Sequence, residues 1–254
     1  MPERAAPAAA RSAQREERDT PRPLAVDAVL FDLDGTLADT APDLAAALNR
    51  VRGDLGLPPV PLARLRPYAS HGARGLLGAG MSLTPEDERY PATREAFLRH
   101  YEQALCVETT LFDEVAGVLA AIEARGLPWG IVTNKAMRFT EPLLDALGLA
   151  ERAGAVIGGD TTPHAKPHPA PLVEAAQRLG VAPSRCVYVG DAERDVIAGV
   201  AAGMATIVAL YGYIEPQDAP ESWPASGSIA TPGELIGWLP ARAGSSVRGR
   251  RRPR

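Results

Sequence analysis

Five short apolar runs constrain this chain more than any other feature. Residues 26–32 (VDAVLFD), 128–133 (PWGIVT), 155–158 (AVIG), 186–190 (CVYVG) and 205–210 (ATIVAL) are rich in Val, Ile and aromatics. Each run is continuous rather than alternating, which is how a strand covered on both faces reads. Between them, 114–125, 138–147, 169–179 and 193–202 carry helical apolar spacing, and Gly126, Gly148, Gly180 and Gly203 follow as helix stops. Strands alternating with helices predict an α/β fold with a parallel sheet and helices on both faces.

One interval is too long for that pattern. Thr36 to Thr133 spans 97 residues, whereas a strand–helix–strand unit needs only about 30. Residues 42–54, 61–80 and 85–107 read as helices, so the surplus predicts an inserted helical domain over 42–108. The α/β core then occupies 25–41 and 109–240. The gaps from Thr133 to Lys166 and from Lys166 to Asp191, 33 and 25 residues, leave no room for a second insertion.

Composition removes several classes of function. The chain is 46% hydrophobic and 23% charged, ordinary for a globular protein. No apolar run reaches the roughly 18 residues of a membrane span. Residues 1–24 lack the apolar centre of a secretory signal and, like 241–254, read as a disordered tail. Cys106 and Cys186 fall in different kinds of segment and read as reduced thiols of a cytoplasmic protein, not as a disulfide or zinc site. The net charge of −4 is uneven: 241–254 carry six Arg and no acid. Without the two tails, 16 basic and 27 acidic residues remain, a net of −11. An acidic body argues against a nucleic-acid surface.

The chemistry gathers at the ends of the runs. The first ends in Asp32-Leu33-Asp34-Gly35-Thr36-Leu37-Ala38-Asp39-Thr40. Two acids one residue apart after a strand repel each other unless a cation or proton sits between them. Gly35 permits a sharp turn beside them. The second run ends in Thr133 and leads into Asn134-Lys135. Lys166 stands in Lys166-Pro167-His168-Pro169, and Asp191 and Asp195 in Gly190-Asp191-Ala192-Glu193-Arg194-Asp195. Taken singly, each has a plain structural explanation, such as a strand exit, a surface lysine or a helix cap.

Together, in this order, the strings DLDGT, GIVTN, KPHP and GDAERD resemble the four signatures of haloacid dehalogenase superfamily phosphatases. The resemblance covers nearly the whole body and departs from the pattern at none of the four. It implies a Rossmann-like core with a parallel sheet and an inserted α-helical cap over the active cleft. It further implies Mg²⁺ held by Asp32, Asp191 and the backbone carbonyl of Asp34. Asp32 is the implied nucleophile, giving an aspartyl phosphate, and Asp34 the acid and then the base. Thr133 would donate to the phosphoryl oxygens and Lys166 would balance charge. Thr36 either contacts the phosphoryl group or starts the loop. Asp195 either holds a metal-bound water or the lysine, or caps the helix that starts near 193. Dehalogenases of this fold generally lack an acid at the Asp34 position, so its presence favours phosphoryl transfer.

The insertion bears on substrate choice. The Gly-flanked stretch Ser70-His71-Gly72-Ala73-Arg74-Gly75-Leu76 is the candidate recognition loop, in which Arg74 could grip an anion. Lys135 and Arg138 add positive charge beside the second signature, and Asn134 is placed with them as a substrate contact. A substrate with a second anionic group is the expectation. The strings VTNK, RFTEP (138–142) and YGYIEPQDAPESW (211–223) resemble the phosphoglycolate phosphatase branch, closest to its N-acetylmuramic acid 6-phosphate phosphatases. The segment 211–223 is expected to lie outside the chemistry. The resemblance thus implies a monomeric or dimeric enzyme acting on a small-molecule phosphate ester, with neither nucleic acid nor membrane as partner. The rivals are a phosphosugar mutase of the same fold and, from another class, a non-catalytic binding protein using its basic tail.

Overall fold

The computed structural model describes residues 22–241. The basic run 242–254 and residues 1–21 lie outside the described residues. The body begins slightly earlier than its sequence boundary, because the Leu24 N–H donates to the Trp238 carbonyl at 2.8 Å.

All five apolar runs become neighbouring strands. They are β1 (Ala28–Phe31), β4 (Trp129–Val132), β5 (Ala155–Ile157), β6 (Cys186–Gly190) and β7 (Ala205–Ala209). A sixth, β8 (Gly227–Ile229), extends one edge, and the order is β5-β4-β1-β6-β7-β8 with every pairing parallel. The side-chain period of two divides each run between two cores. Val29 and Phe31 pack with Leu119, Ile122 and Leu143 on one face, while Ala28 and Leu30 pack with Leu172 and Ala176 on the other. That division explains why the runs are continuously apolar.

The covering helices are α5 (Val115–Ala124), α6 (Met137–Ala146), α7 (Ala170–Arg178) and α8 (Glu193–Ala201). The predicted stop glycines follow them with φ between +67° and +75°. From β1 the chain moves first to β4 and β5 on one side, then to β6, β7 and β8 on the other. The crevice beyond the carboxyl ends of β1, β4 and β6 lies at this reversal, where α/β sheets bind ligands.

A two-stranded antiparallel ribbon, β2 (Ala38–Asp39) and β3 (Thr110–Leu111), frames the insertion. Between its strands lie α1 (Ala41–Asp54), α2 (Leu62–Leu65), α3 (Gly72–Met81) and α4 (Tyr90–Glu102). The single helix expected over 61–80 is instead broken by a 3₁₀ segment, Arg66–His71. Pro67 cannot donate to a continuing helix, and Gly72 sits at φ +55°. Arg74 is therefore in the first turn of α3, not in a loop. The helices surround their own apolar cluster, including Leu48, Leu65, Leu76 and Phe97, which Phe139 and Tyr213 join from outside the insertion.

Both linkers are fastened by one buried acid. Asp43 in α1 accepts from the N–H groups of Val107, Glu108 and Thr109 at 2.9, 3.1 and 2.9 Å, and from the Thr109 hydroxyl at 2.7 Å. Asp43→Ala leaves the buried Thr109 N–H and hydroxyl unpaired, while the exposed Val107 and Glu108 N–H groups can turn to water, and should lower unfolding free energy by about 1–3 kcal/mol. Chemical denaturation checks this, and a loss below about 0.5 kcal/mol, the usual range for a neutral surface change, contradicts it.

Candidate active site

The strand register aligns the chemistry. Phe31 pairs with Ile131 and with Val189, so the three neighbouring strands end at one level. Asp32, Thr133 and Asp191 follow directly, and all three are buried.

Lys166 reaches this point from the loop before α7. Its Nζ lies 3.0 Å from Asp32 Oδ1, 2.7 Å from Asp195 Oδ1, 2.9 Å from the Val132 carbonyl and 2.7 Å from the Tyr188 hydroxyl. Asn134 fixes the lysine's own backbone from both sides: its Oδ1 accepts from the Lys166 N–H and its Nδ2 donates to the Lys166 carbonyl, each at 2.9 Å. The structure thus gives Asn134 a holding task, and the residue also lines the cavity over the site. The Lys166–Pro167 peptide is cis.

The two acids of the first signature are held alike. Asp32 Oδ1 takes Lys166 and the Leu33 N–H at 2.7 Å. Asp34 Oδ1 takes the Thr40 hydroxyl at 2.5 Å and Lys135 Nζ at 2.9 Å. Neither Oδ2 has a partner among the described residues. Lys135, expected to meet substrate, is thus committed to Asp34 and lies 4.8 Å from the Tyr101 ring centroid. Its burial opposes the charge, but Asp34 and Tyr101 overcome that and hold the ammonium well above its usual range.

Asp191 is enclosed by donors. The Thr36 hydroxyl reaches its Oδ1 at 3.2 Å, and the Ser70 hydroxyl and Tyr213 N–H reach its Oδ2 at 2.7 and 2.9 Å. Thr36 therefore buttresses Asp191. The Tyr211 hydroxyl donates to the Thr36 carbonyl at 3.0 Å, and Tyr213 Oη lies 2.8 Å from Asp39 Oδ1. The segment 211–223, expected to lie outside the chemistry, packs behind Asp191 through Tyr211 and Tyr213, which form a wall there without lining the cavity. Gly35 and Gly212 fit the same wall: a Cβ on either would overlap Asp191, and Gly35 has φ +85°.

Asp195 fills both offered roles. Its Oδ2 accepts the Ala192 N–H at 3.0 Å, capping α8, while Oδ1 holds the lysine. Burial pushes Asp32 up to about 6 against the opposing Lys166 charge, and pushes Asp191 up to about 7 with help from Asp32 and Asp195. Burial also works on Asp195, but Lys166 and Arg194 outweigh it and hold that acid low.

One carboxylate oxygen each from Asp32, Asp191 and Asp195 lie within 4.8 Å of one another. Such a buried all-oxygen set, held at a cost in repulsion, fits a hard divalent cation such as Mg²⁺. Of the three, Asp195 is occupied by its lysine and its cap.

A cavity of about 370 Å³ opens over these groups. Its core side is Asp32, Asp34 and Thr133, and the insertion supplies Ser70, Arg74 and Arg94 among others. The Lys135 N–H donates to Thr133 Oγ1 at 3.2 Å, so the threonine's own proton stays free for a ligand. Tyr90, Phe97, Tyr101 and Phe139 give the cavity aromatic walls. Arg138 sits apart from its lining, stacked 4.4 Å from the Phe139 ring centroid.

Four residues placed at the site carry no signal strong enough to single them out in the sequence: Thr40, Tyr188, Arg194 and Arg94. Tyr188 has the only detectable cue, a hydroxyl-bearing side chain in an otherwise apolar strand.

A family model described as haloacid dehalogenase-like hydrolase matches residues 26–203. The chain is 46% identical over 214 residues to a phosphoglycolate phosphatase of Xanthomonas campestris, covering 84% of this chain and 96% of that one. It is 43% identical over 209 residues to an N-acetylmuramic acid 6-phosphate phosphatase of Pseudomonas aeruginosa, covering 82% and 92%. Among solved structures it is similar to a predicted phosphoglycolate phosphatase from Haemophilus somnus, with TM-score 0.72 and 26% identity over 84% of this chain and 97% of that one.

Removing Lys166 would leave Asp32 and Asp195 buried without their shared counter-charge. Lys166→Ala is expected to cost about 3–5 kcal/mol of stability, measured by urea unfolding at neutral pH. A cost near that of a surface lysine would show that the ammonium is not what holds the acids.

Proposed function

The chain belongs to the haloacid dehalogenase-like hydrolases and is a phosphatase, and from that premise we propose that it hydrolyses a small carboxylated phosphate monoester through an aspartyl phosphate on Asp32, with Mg²⁺ as cofactor. One observation carries this reading. Asp32 and Asp34 each have one carboxyl oxygen fixed by donors and the other left without a partner. That is the arrangement needed by a nucleophile and by a proton carrier, each oriented through its second oxygen.

In this mechanism Asp32 Oδ2 attacks phosphorus. Asp34 Oδ2 protonates the leaving oxygen and later takes a proton from the hydrolytic water. The Thr133 hydroxyl donates to a phosphoryl oxygen, and Lys166 keeps Asp32 in place and balances its charge. Asp32, Asp191 and the Asp34 carbonyl are the proposed holders of Mg²⁺. When bound, the ion offsets the repulsion between a phosphate dianion and the carboxylates. The helical insertion acts as a cap that keeps water from the phosphoryl group before transfer.

The two relatives named above are a phosphoglycolate phosphatase and an N-acetylmuramic acid 6-phosphate phosphatase. Both of those substrates join a carboxylate to a phosphate ester. The basic side chains around the cavity support the same class here. No helix among the described residues is long and apolar enough to cross a membrane, and both cysteines are free thiols. These features support a cytoplasmic enzyme.

Phosphate release from carboxylated phosphate esters, with and without Mg²⁺, tests the reading. Wild-type turnover should require the ion, and Asp32→Asn should abolish it without loss of fold by circular dichroism. Substantial turnover by that variant would remove Asp32 as the nucleophile. A second measurement follows the metal alone: Mg²⁺ should raise the melting temperature of the wild type, and Asp191→Asn should lose most of that rise. An equal rise in both would place the ion elsewhere.

A further inference from the structure

Three guanidinium groups border the cavity, and they are not equivalent. Arg74 and Arg94, from α3 and α4, are exposed. Neither has a hydrogen-bond or ion-pair partner among the described residues. Arg194, from the first turn of α8, is half-buried. Its Nη2 donates to the Ser70 carbonyl at 2.8 Å and its Nη1 to His71 Nδ1 at 3.2 Å.

His71 is itself fixed. Burial, and then the Arg194 charge, push it below its ordinary range against the pull of Glu215. Its Nδ1 accepts from Arg194, and its Nε2–H donates to Glu215 Oε1 at 2.6 Å. Arg194 is therefore locked in one orientation by the tip of the insertion. Its fork is nonetheless only partly used. A guanidinium has five N–H donors, and the buried Nε has no hydrogen-bond partner among the described residues.

The other cations near the phosphoryl site are already matched. Lys135 faces Asp34, and Lys166 faces Asp32 and Asp195. Arg194 is the cation beside the reacting acids with no carboxylate in direct contact. A charged hydrogen bond to a pre-oriented, half-buried guanidinium is worth more than one to a solvated arginine at the rim.

We propose that Arg194 is the specificity-determining residue that recognises the substrate's second anionic group, close to the phosphoryl end, with Arg74 and Arg94 serving only the outer rim. This rests on the reading of the protein as a phosphatase of carboxylated esters and names the residue that reads the carboxylate. A carboxylate accepts two parallel N–H bonds, so the fork suits it, and Ser70 and His71 supply the orientation.

Two matched substrate pairs test it: N-acetylmuramic acid 6-phosphate against N-acetylglucosamine 6-phosphate, and 2-phosphoglycolate against ethyl phosphate. Within each pair only the carboxylate-bearing group differs. The wild type should prefer the carboxylated member of at least one pair. Arg194→Met should reduce that preference in kcat/KM about tenfold or more, mainly through KM. Arg194→Lys should restore part of it, and Arg74→Ala should reduce it far less.

An equal fall for both members would assign Arg194 to the shared phosphoryl end or to the fold, and would overturn the proposal. So would a preference that disappears in Arg74→Ala and persists in Arg194→Met. If Arg194→Met does not fold, the Arg194→Lys preference decides alone, and a wild-type value there overturns the proposal. A wild type that releases phosphate from neither member of either pair refutes the carboxylated-ester reading itself, which is a separate outcome.

Discussion

A single buried ammonium organises this site. Lys166 touches an acid that follows β1, an acid in the first turn of α8, the last carbonyl of β4 and a hydroxyl on β6. Each of those groups is buried, so none can exchange the lysine for water at low cost. The ammonium is itself kept in place by the reciprocal Asn134 bonds to its backbone. Removing the ammonium would leave two buried acids, Asp32 and Asp195, without their shared counter-charge. The parallel sheet supplies the level platform, and Lys166 joins its strand ends into one constellation.

From that anchor the acids acquire distinct tasks by environment alone. Asp195 is spoken for by the lysine and the Ala192 N–H, and its carboxyl is held low. Asp191 receives only neutral donors and is pushed up to about 7, the less comfortable state for a buried carboxylate. A group raised in this way is poised to accept a cation. Ser70 connects this local chemistry to the insertion, because its hydroxyl meets Asp191 while its carbonyl meets Arg194. The tip of the helical insertion therefore rests directly on the acids below it. Tyr213 does the same from the other side, joining Asp191 through its N–H to Asp39 and Ala41 at the first linker.

Much of this was legible before any coordinates. Strands buried on both faces cannot hide their composition, so all five principal strands were readable, along with their helices. The strand ends then located Asp32, Thr133 and Asp191. What escaped is of three kinds. The two-residue strands β2 and β3 and the Gly-Ser-Ile strand β8 are too short or too polar to carry a period. The break at Arg66–His71 was hidden because a 3₁₀ turn keeps roughly helical spacing while redirecting the chain. Finally, long-range partnerships have no local trace. Lys135 resembled a free cation beside the second signature, yet Asp34, about a hundred positions away, claims it. Tyr213 belonged to a string that marked kinship only, yet it lies against Asp191.

The central claim is that Asp32 forms a covalent bond to phosphorus. Mixing excess protein and Mg²⁺ with a phosphate ester radiolabelled in its phosphoryl group, quenching in acid within one turnover, and mapping the label by peptide mass spectrometry tests it most directly. The account predicts transient label on the peptide containing Asp32, appearing before free phosphate and absent from Asp32→Asn. Full-rate phosphate release with no label on the protein at any time, or with label on another residue, would contradict it.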